Sequence, residues 1–148
     1  MNEEGKRLIL IKEGEFLEKV LPLIRNAQKE IYICIFDWRI SHYEFASEAS
    51  DFNRELIQAR NRGVIIKCLV NDPNLALLLN ENKFKAKSLH GKKFIHAKCL
   101  LIDDDIVIIG SHNLTLPAFS YNLELSVIIY SKELNNEIKA YLENLFKF

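Results

Sequence analysis

Residues 31–36 of this chain read Ile-Tyr-Ile-Cys-Ile-Phe, an apolar run short enough to be a strand. Successive strand side chains point to opposite faces, so a run without polar members predicts burial on both faces of a sheet. Its surroundings fit that demand. Residues 8–11 form a first short strand. Phe16, Val20, Ile24 and Ala27 recur at helical spacing, with Pro22 as a kink. Phe45, Ala49, Phe52, Leu56 and Ala59 step by four and three, giving a second amphipathic helix that Gly63 ends. Residues 64–70 are a third strand, and Asn71-Asp72-Pro73 breaks it and opens a short helix. Residues 96–102 and 106–109 read as a hairpin turning at Asp103-Asp104-Asp105, followed by a strand over 123–130. Ser131 caps a last helix whose stripe is Leu134, Ile138, Tyr141, Leu142 and Leu145. The expected fold class is α/β: a mixed β-sheet flanked by helices on both faces.

Composition narrows the field. With 148 residues, the chain has room for one domain, expected to span 1–148. Hydrophobic residues make up 49% and charged residues 27%, which excludes disordered, collagen-like and coiled-coil classes. Twenty basic residues balance twenty acidic ones, so a generally basic nucleic-acid coat is ruled out while a local patch is not. Cys34, Cys68 and Cys99 lie far apart among apolar neighbours and are expected to be free thiols in a reducing compartment. No apolar run approaches the length of a membrane span, and the run at 8–11 is too short for a signal-peptide core. The expected location is cytoplasmic.

Residues 96–113 carry the chemistry: His-Ala-Lys-Cys-Leu-Leu-Ile-Asp-Asp-Asp-Ile-Val-Ile-Ile-Gly-Ser-His-Asn. They fit HxK, four residues, Asp, six residues, GSxN. At roughly 5% usage for each of the six fixed positions, a chance match over the chain is on the order of 10⁻⁶. The pattern resembles the signature of the phospholipase D superfamily, its HKD motif and GSxN tail. Glu124, eleven residues past Asn113, matches the acidic position this family keeps after the motif. The helix ending Asn-Arg-Gly63 before Val-Ile-Ile-Lys-Cys-Leu-Val resembles the family's helix–RGV–strand unit. The likeness covers nearly the whole chain and points to the small single-motif nucleases.

Strand parity puts His96 and Lys98 on one face, with Ser111 and Asn113 beside them and Asn122, Glu124 and Ser126 as a third matched row. Such a set suits phosphodiester cleavage. The imidazole attacks phosphorus, Lys98, Ser111 and Asn113 hold the phosphate oxygens, and Glu124 fixes the tautomer of His96. Asp103 belongs to the family's catalytic signature. Its odd offset from His96 turns it away, so it is expected to organise the turn rather than to touch substrate. Asp103-Asp104-Asp105 also suggests a metal site, but a hairpin turn explains the run more simply; no metal or cofactor is expected.

The resemblance implies two histidines, a nucleophile and a proton donor, and this chain has one motif. His90-Gly-Lys92 repeats HxK without the following Asp or GSxN, and His42 and His112 lack the lysine. A homodimer that pairs two copies of His96 resolves this, one neutral and one protonated, through a phosphohistidine intermediate. Lys83, Lys85, Lys87, Lys92, Lys93 and Lys98 follow one another with no acidic residue between. The run is either a solvated face or a track for a phosphate backbone. Phe84 and Phe94 within it are expected to pack in the core, as are His112 and Cys99. Phe36, Asp37 and Trp38 either border the cleft or join the core. The expected substrate is DNA or RNA; the rivals are a membrane phospholipid head group and a non-enzymatic nucleic-acid-binding module of a larger protein.

Overall fold

The computed structural model describes residues 7–40, 48–89 and 93–147, the side chains of residues 48, 49 and 146 excepted. Phe45, Lys92, His42 and His90 lie outside these residues. In chain order the elements are β1 (Leu8–Ile11), α1 (Phe16–Arg25), β2 (Glu30–Ile35), α2 (Glu48–Asn61), β3 (Ile65–Val70), α3 (Pro73–Glu81), β4 (Lys85–Ser88), β5 (Lys98–Ile102), β6 (Ile106–Gly110), β7 (Ser126–Tyr130) and α4 (Lys132–Phe146). The strands form one seven-stranded mixed sheet in the order β1-β7-β6-β5-β2-β3-β4. β2, β3 and β4 run parallel, and the remaining pairings are antiparallel.

The apolar run that demanded two covered faces has them. Ile31, Ile33 and Ile35 join Leu100, Ile108 and Ile128 in a core roofed by Phe16, Val20 and Ile24 of α1, Phe52 and Leu56 of α2 and Leu79 of α3. Tyr32 and Cys34 join Leu69, Cys99 and Leu101 under Leu142 of α4, with Leu134, Ile138 and Leu145 against them. Each fully buried aliphatic or aromatic side chain contributes about 1.5–3 kcal/mol. All three cysteines are free and buried; burial pushes the thiols up, Cys34 to about 11 and Cys99 to about 12, so they stay protonated and inert.

Local signals set the element ends. Gly63, at φ +99°, lets the chain leave α2 for β3. Asp72 caps α3 by accepting from the Asn74 amide at 2.9 Å, with Pro73 in its first turn. Ser131 caps α4 by accepting from the Leu134 amide at 3.0 Å. Three expectations change. β4 was not foreseen: its lysines hid a strand that pairs parallel with β3 at the sheet edge. The strand expected over 123–130 begins at Ser126, because a π-helical turn over Pro117–Tyr121 precedes it. The strand expected from His96 begins at Lys98.

Candidate active site

Strand direction gathers the motif at one end of the sheet. Lys98 opens β5 opposite Ile35 at the close of β2. Gly110 closes β6 opposite Ser126 at the start of β7. Asn71 follows the close of β3. The sequence-predicted residues His96, Lys98, Ser111, Asn113 and Glu124 therefore all stand at this end, at the start of β5, just past β6 and just before β7.

His96 is exposed and Lys98 half-buried. The Lys98 ammonium Nζ lies 3.3 Å from Nε2 and 3.4 Å from Nδ1 of His96 and donates to the His96 carbonyl at 2.9 Å. Phe36 forms the wall behind both: its ring is 5.1 Å from the His96 ring and 5.0 Å from Nζ. The cation is thus held against an aromatic face beside the imidazole, a placement worth about 0.5–1 kcal/mol at an exposed site. Phe94 packs on Phe36 at 5.5 Å but is 71% exposed, so it is not the core residue expected. Phe84 is in the core, at 5% exposure.

Two asparagines tie this corner together. Asn113 Oδ1 accepts from the Asp37 amide at 3.1 Å, and the backbones of Leu114 and Asp37 bond at 3.0 Å, so the GSxN tail is zipped to the chain leaving β2. Asn71 was missed as a site residue. Its Oδ1 accepts from the Ile95 amide at 2.8 Å, and its Nδ2 donates to the Ile95 carbonyl at 2.9 Å. That two-way bond fixes the residue directly before His96. The only trace in sequence is an asparagine at a strand end, which also serves as a turn former. A cleft of about 460 Å³ opens alongside, lined by Phe36, Asp37, Arg39, Asn71 and Asp72 among others.

Glu124 does not orient His96. Among the described residues, it accepts from the Ser111 hydroxyl at 2.8 Å and from Asn122 Nδ2 at 3.4 Å. The third matched row also fails, because the chain before Ser126 is not strand. Ser126 is buried and its hydroxyl lies 2.7 Å from Nδ1 of His112. His112 packs in the core as expected, its ring 4.9 Å from Phe16. Burial pushes its pKa down, with the Glu124 charge opposing.

Asp103 stands at the far end of β5, about 20 Å of extended chain from His96. Its carboxylate accepts from the amides of Gln28 at 3.1 Å, Lys29 at 2.7 Å and Glu30 at 3.2 Å. Its own φ is +53°. The motif aspartate is therefore a brace between the β5–β6 turn and the entry to β2, as the parity argument anticipated, and its place among catalytic groups is corrected. Gly110 also has a steric reason. A Cβ there would stand 2.4 Å from the Ser126 Cα and 2.5 Å from the Leu125 carbonyl oxygen.

The lysines divide. Lys83 sits in the turn before β4, at φ +66° and at the end of the sheet away from His96. Lys85 and Lys87 lie along β4 toward the site end, and exposed Lys93 lies three residues before His96.

An aspartate-braced HxK strand and a glycine-serine tail, brought to one end of a mixed sheet, define a phospholipase D-type domain. The family model described as cardiolipin synthase, PLD-like domain, matches residues 20–146, and the chain belongs to this family. Its fold is shared by NucT from Helicobacter pylori, with a TM-score of 0.76 and 19% identity over 95% of each chain. It is equally shared by Nuc from Salmonella typhimurium, a phospholipase D family member, with a TM-score of 0.76 and 18% identity, again over 95% of each chain. Cardiolipin synthase 1 of Bacillus anthracis is 41% identical over 54 residues, which is 36% of this chain and 11% of that protein. The chain thus spans about a tenth of the curated relatives it matches. Enzymes of this superfamily act on phosphodiesters.

Proposed function

We propose that the chain is one catalytic domain of a metal-independent nuclease that cleaves DNA or RNA through a phosphohistidine intermediate, in an active site shared by a homodimer. The observation that carries this is the exposed His96 imidazole with the Lys98 ammonium against it. A neutral His96 nitrogen attacks phosphorus and forms a P–N bond as the P–O bond breaks. His96 of a second copy, as imidazolium, gives its proton to the leaving oxygen. Water then attacks phosphorus, that second imidazole takes the water's proton, and the P–N bond breaks, restoring both groups. Lys98, Ser111 and Asn113 hold the non-bridging oxygens where negative charge gathers. Glu124 sets the Ser111 hydroxyl, and Asp103 holds the strand that carries Lys98.

The nucleic-acid reading draws on Phe94, an exposed ring that packs on Phe36 as the imidazole does and suits base stacking, and on Lys85, Lys87 and Lys93 as a cationic approach. Lys92, outside the described residues, continues that approach by its place in the sequence; Lys83, at the far end, is left out of it. The matches to cardiolipin synthases favour a second reading, with the same histidine chemistry on a phospholipid head group.

The test is incubation with single- and double-stranded DNA, with RNA and with cardiolipin vesicles, all in excess EDTA, alongside His96→Ala. Cleavage of nucleic acid that persists in EDTA and vanishes in the variant is expected. A requirement for added magnesium refutes the mechanism. Turnover of vesicles alone moves the assignment to the lipid reading.

A further inference from the structure

The chain leaving β2 is held from two sides. The Asp37 amide donates to Asn113 Oδ1 at 3.1 Å, and the Arg39 amide donates to the Leu114 carbonyl at 3.1 Å. From α2, Asn53 Oδ1 accepts from Trp38 Nε1 at 2.8 Å, and Asn53 Nδ2 donates to the Arg39 carbonyl at 3.3 Å. Trp38 is buried within this frame. In extended chain the residues flanking a buried one share the opposite face. Asp37 and Arg39 accordingly stand side by side, with Arg39 Nε 3.5 Å from Asp37 Oδ1, and their side chains are 39% and 71% exposed, within reach of a ligand. Both line the cleft of about 460 Å³, as do Phe36, Asp72 and, from α3, Leu75 and Leu78. Phe36 is common to the cleft and the catalytic corner, since its ring lies 5.1 Å from that of His96. The cleft is therefore one aromatic ring away from the imidazole, and the mechanism above leaves it unused.

Its lining selects the occupant. Two carboxylates stand against one guanidinium, which disfavours a further phosphate or an anionic head group. Phe36, Leu75 and Leu78 offer apolar surface to a flat ring, and the volume falls within the range of small-molecule sites, about 300–1,000 Å³. A nucleobase meets both conditions. The pair then discriminates among bases. A carboxylate only accepts hydrogen bonds and a guanidinium only donates them. Guanine carries the complement along one edge, the donors N2–H and N1–H followed by the acceptors O6 and N7, and an arginine fork on O6 and N7 is the commonest base-specific contact. Cytosine, with one donor beside two acceptors, comes next. Base pairing hides guanine N1–H and N2–H in a duplex, whereas an unpaired strand presents them.

We infer that this cleft is a guanine subsite, which takes the unpaired base next to the scissile phosphate, with Asp37 accepting from N1–H and N2–H and Arg39 donating to O6 and N7. The inference rests on the nuclease reading above and gives it a substrate, single-stranded nucleic acid cut beside guanine.

The experiment uses short strands, made as DNA and as RNA, with one central guanine, adenine or cytosine in a run of thymine (uracil in RNA), and the guanine strand annealed to its complement. Cleavage in EDTA is measured for the wild type and Asp37→Asn, and binding of the labelled strands to His96→Ala is followed by fluorescence anisotropy, which needs no turnover. Expected is cleavage beside guanine ~10-fold or more faster than beside the other bases or in the duplex, with tighter binding of the guanine strand to match. In Asp37→Asn the preference should fall to within ~2-fold. The preference is a ratio of rates within one protein, so a loss shared by all strands cancels. Cleavage without base preference, or equal cleavage of the duplex, overturns the subsite and leaves the nuclease standing. Guanine-selective binding without cleavage by the wild type supports the subsite and removes the nuclease reading. Neither binding nor cleavage overturns both. A preference that survives intact in Asp37→Asn overturns the role of the pair. If that variant does not fold, Arg39→Gln decides by the same ratio, a lost preference supporting the subsite and a retained one overturning it.

Discussion

Replacing Asp103 separates a brace from a catalytic group. Its carboxylate receives three backbone amides, of which the 2.7 Å contact to Lys29 is the shortest. A hydrogen bond to a charged group contributes about 1.5–3 kcal/mol, and we take about 2 for the Lys29 contact. The other two are longer and Asp103 is half-exposed, so water replaces much of what they supply, leaving about 1 kcal/mol together. Asp103→Gly therefore costs about 3 kcal/mol. Asp103→Ala adds about 1 kcal/mol, since φ +53° strains a residue with a Cβ that no local hydrogen bond compensates. For a domain of this size 1 kcal/mol moves the melting midpoint by about 2–4 °C, so the alanine variant should melt roughly 10 °C or more below wild type. Thermal melts by circular dichroism measure this, paired with cleavage rates well below both transitions. Activity per folded molecule should stay within about threefold, because the carboxylate is far from the imidazole. An alanine variant that melts with the wild type and yet loses activity 100-fold would falsify the brace.

Three further outcomes follow from the same geometry. Gly110→Ala forces β6 and β7 apart, since the new Cβ meets backbone atoms at 2.4 and 2.5 Å; a loss of about 3 kcal/mol is expected in urea titrations, and an unchanged midpoint refutes the steric reading. Burial lowers the pKa of His112, so the unfolded chain binds a proton that the folded chain resists; stability is full above about pH 6.5 and falls as pH drops through the folded value. The pH slope of the urea midpoint between about pH 7 and 5 should flatten in His112→Gln, and an identical slope removes that histidine from the account. If Lys85 and Lys93 meet phosphates, Lys85→Ala/Lys93→Ala lowers the slope of log affinity against log salt by about 0.9 per contact on duplex DNA, while unchanged slopes exclude the lysine approach.

The architecture was legible where physical periodicity is strong. The unbroken apolar run at 31–36 called for two covered faces, and α1, α2 and α3 on one side with α4 on the other supply them. β4 was not legible, because an edge strand carries polar side chains and its lysines alternate with only one fully buried residue, Ala86. The motif was legible as a list of residues but not as a set of contacts. Spacing placed His96 and Lys98 together, and the ammonium does lie against the imidazole although β5 begins only at Lys98, since residues two apart cannot drift far. It failed for Glu124 and Ser126, because the chain before β7 is not strand and parity has no meaning there.

By itself the sequence determined the layering, the end of the sheet at which the chemistry gathers, and the residue types it contains; these follow from local periodicity and from fixed motif spacing. Only the tertiary structure decided which groups touch. It turned Glu124 to Ser111, made Asp103 a brace for the entry to β2, and recruited Asn71 to hold the residue before His96. Each of those depends on how separate strands align in space, and side-chain hydrogen bonds act over about 3 Å, a precision that sequence spacing does not carry across loops.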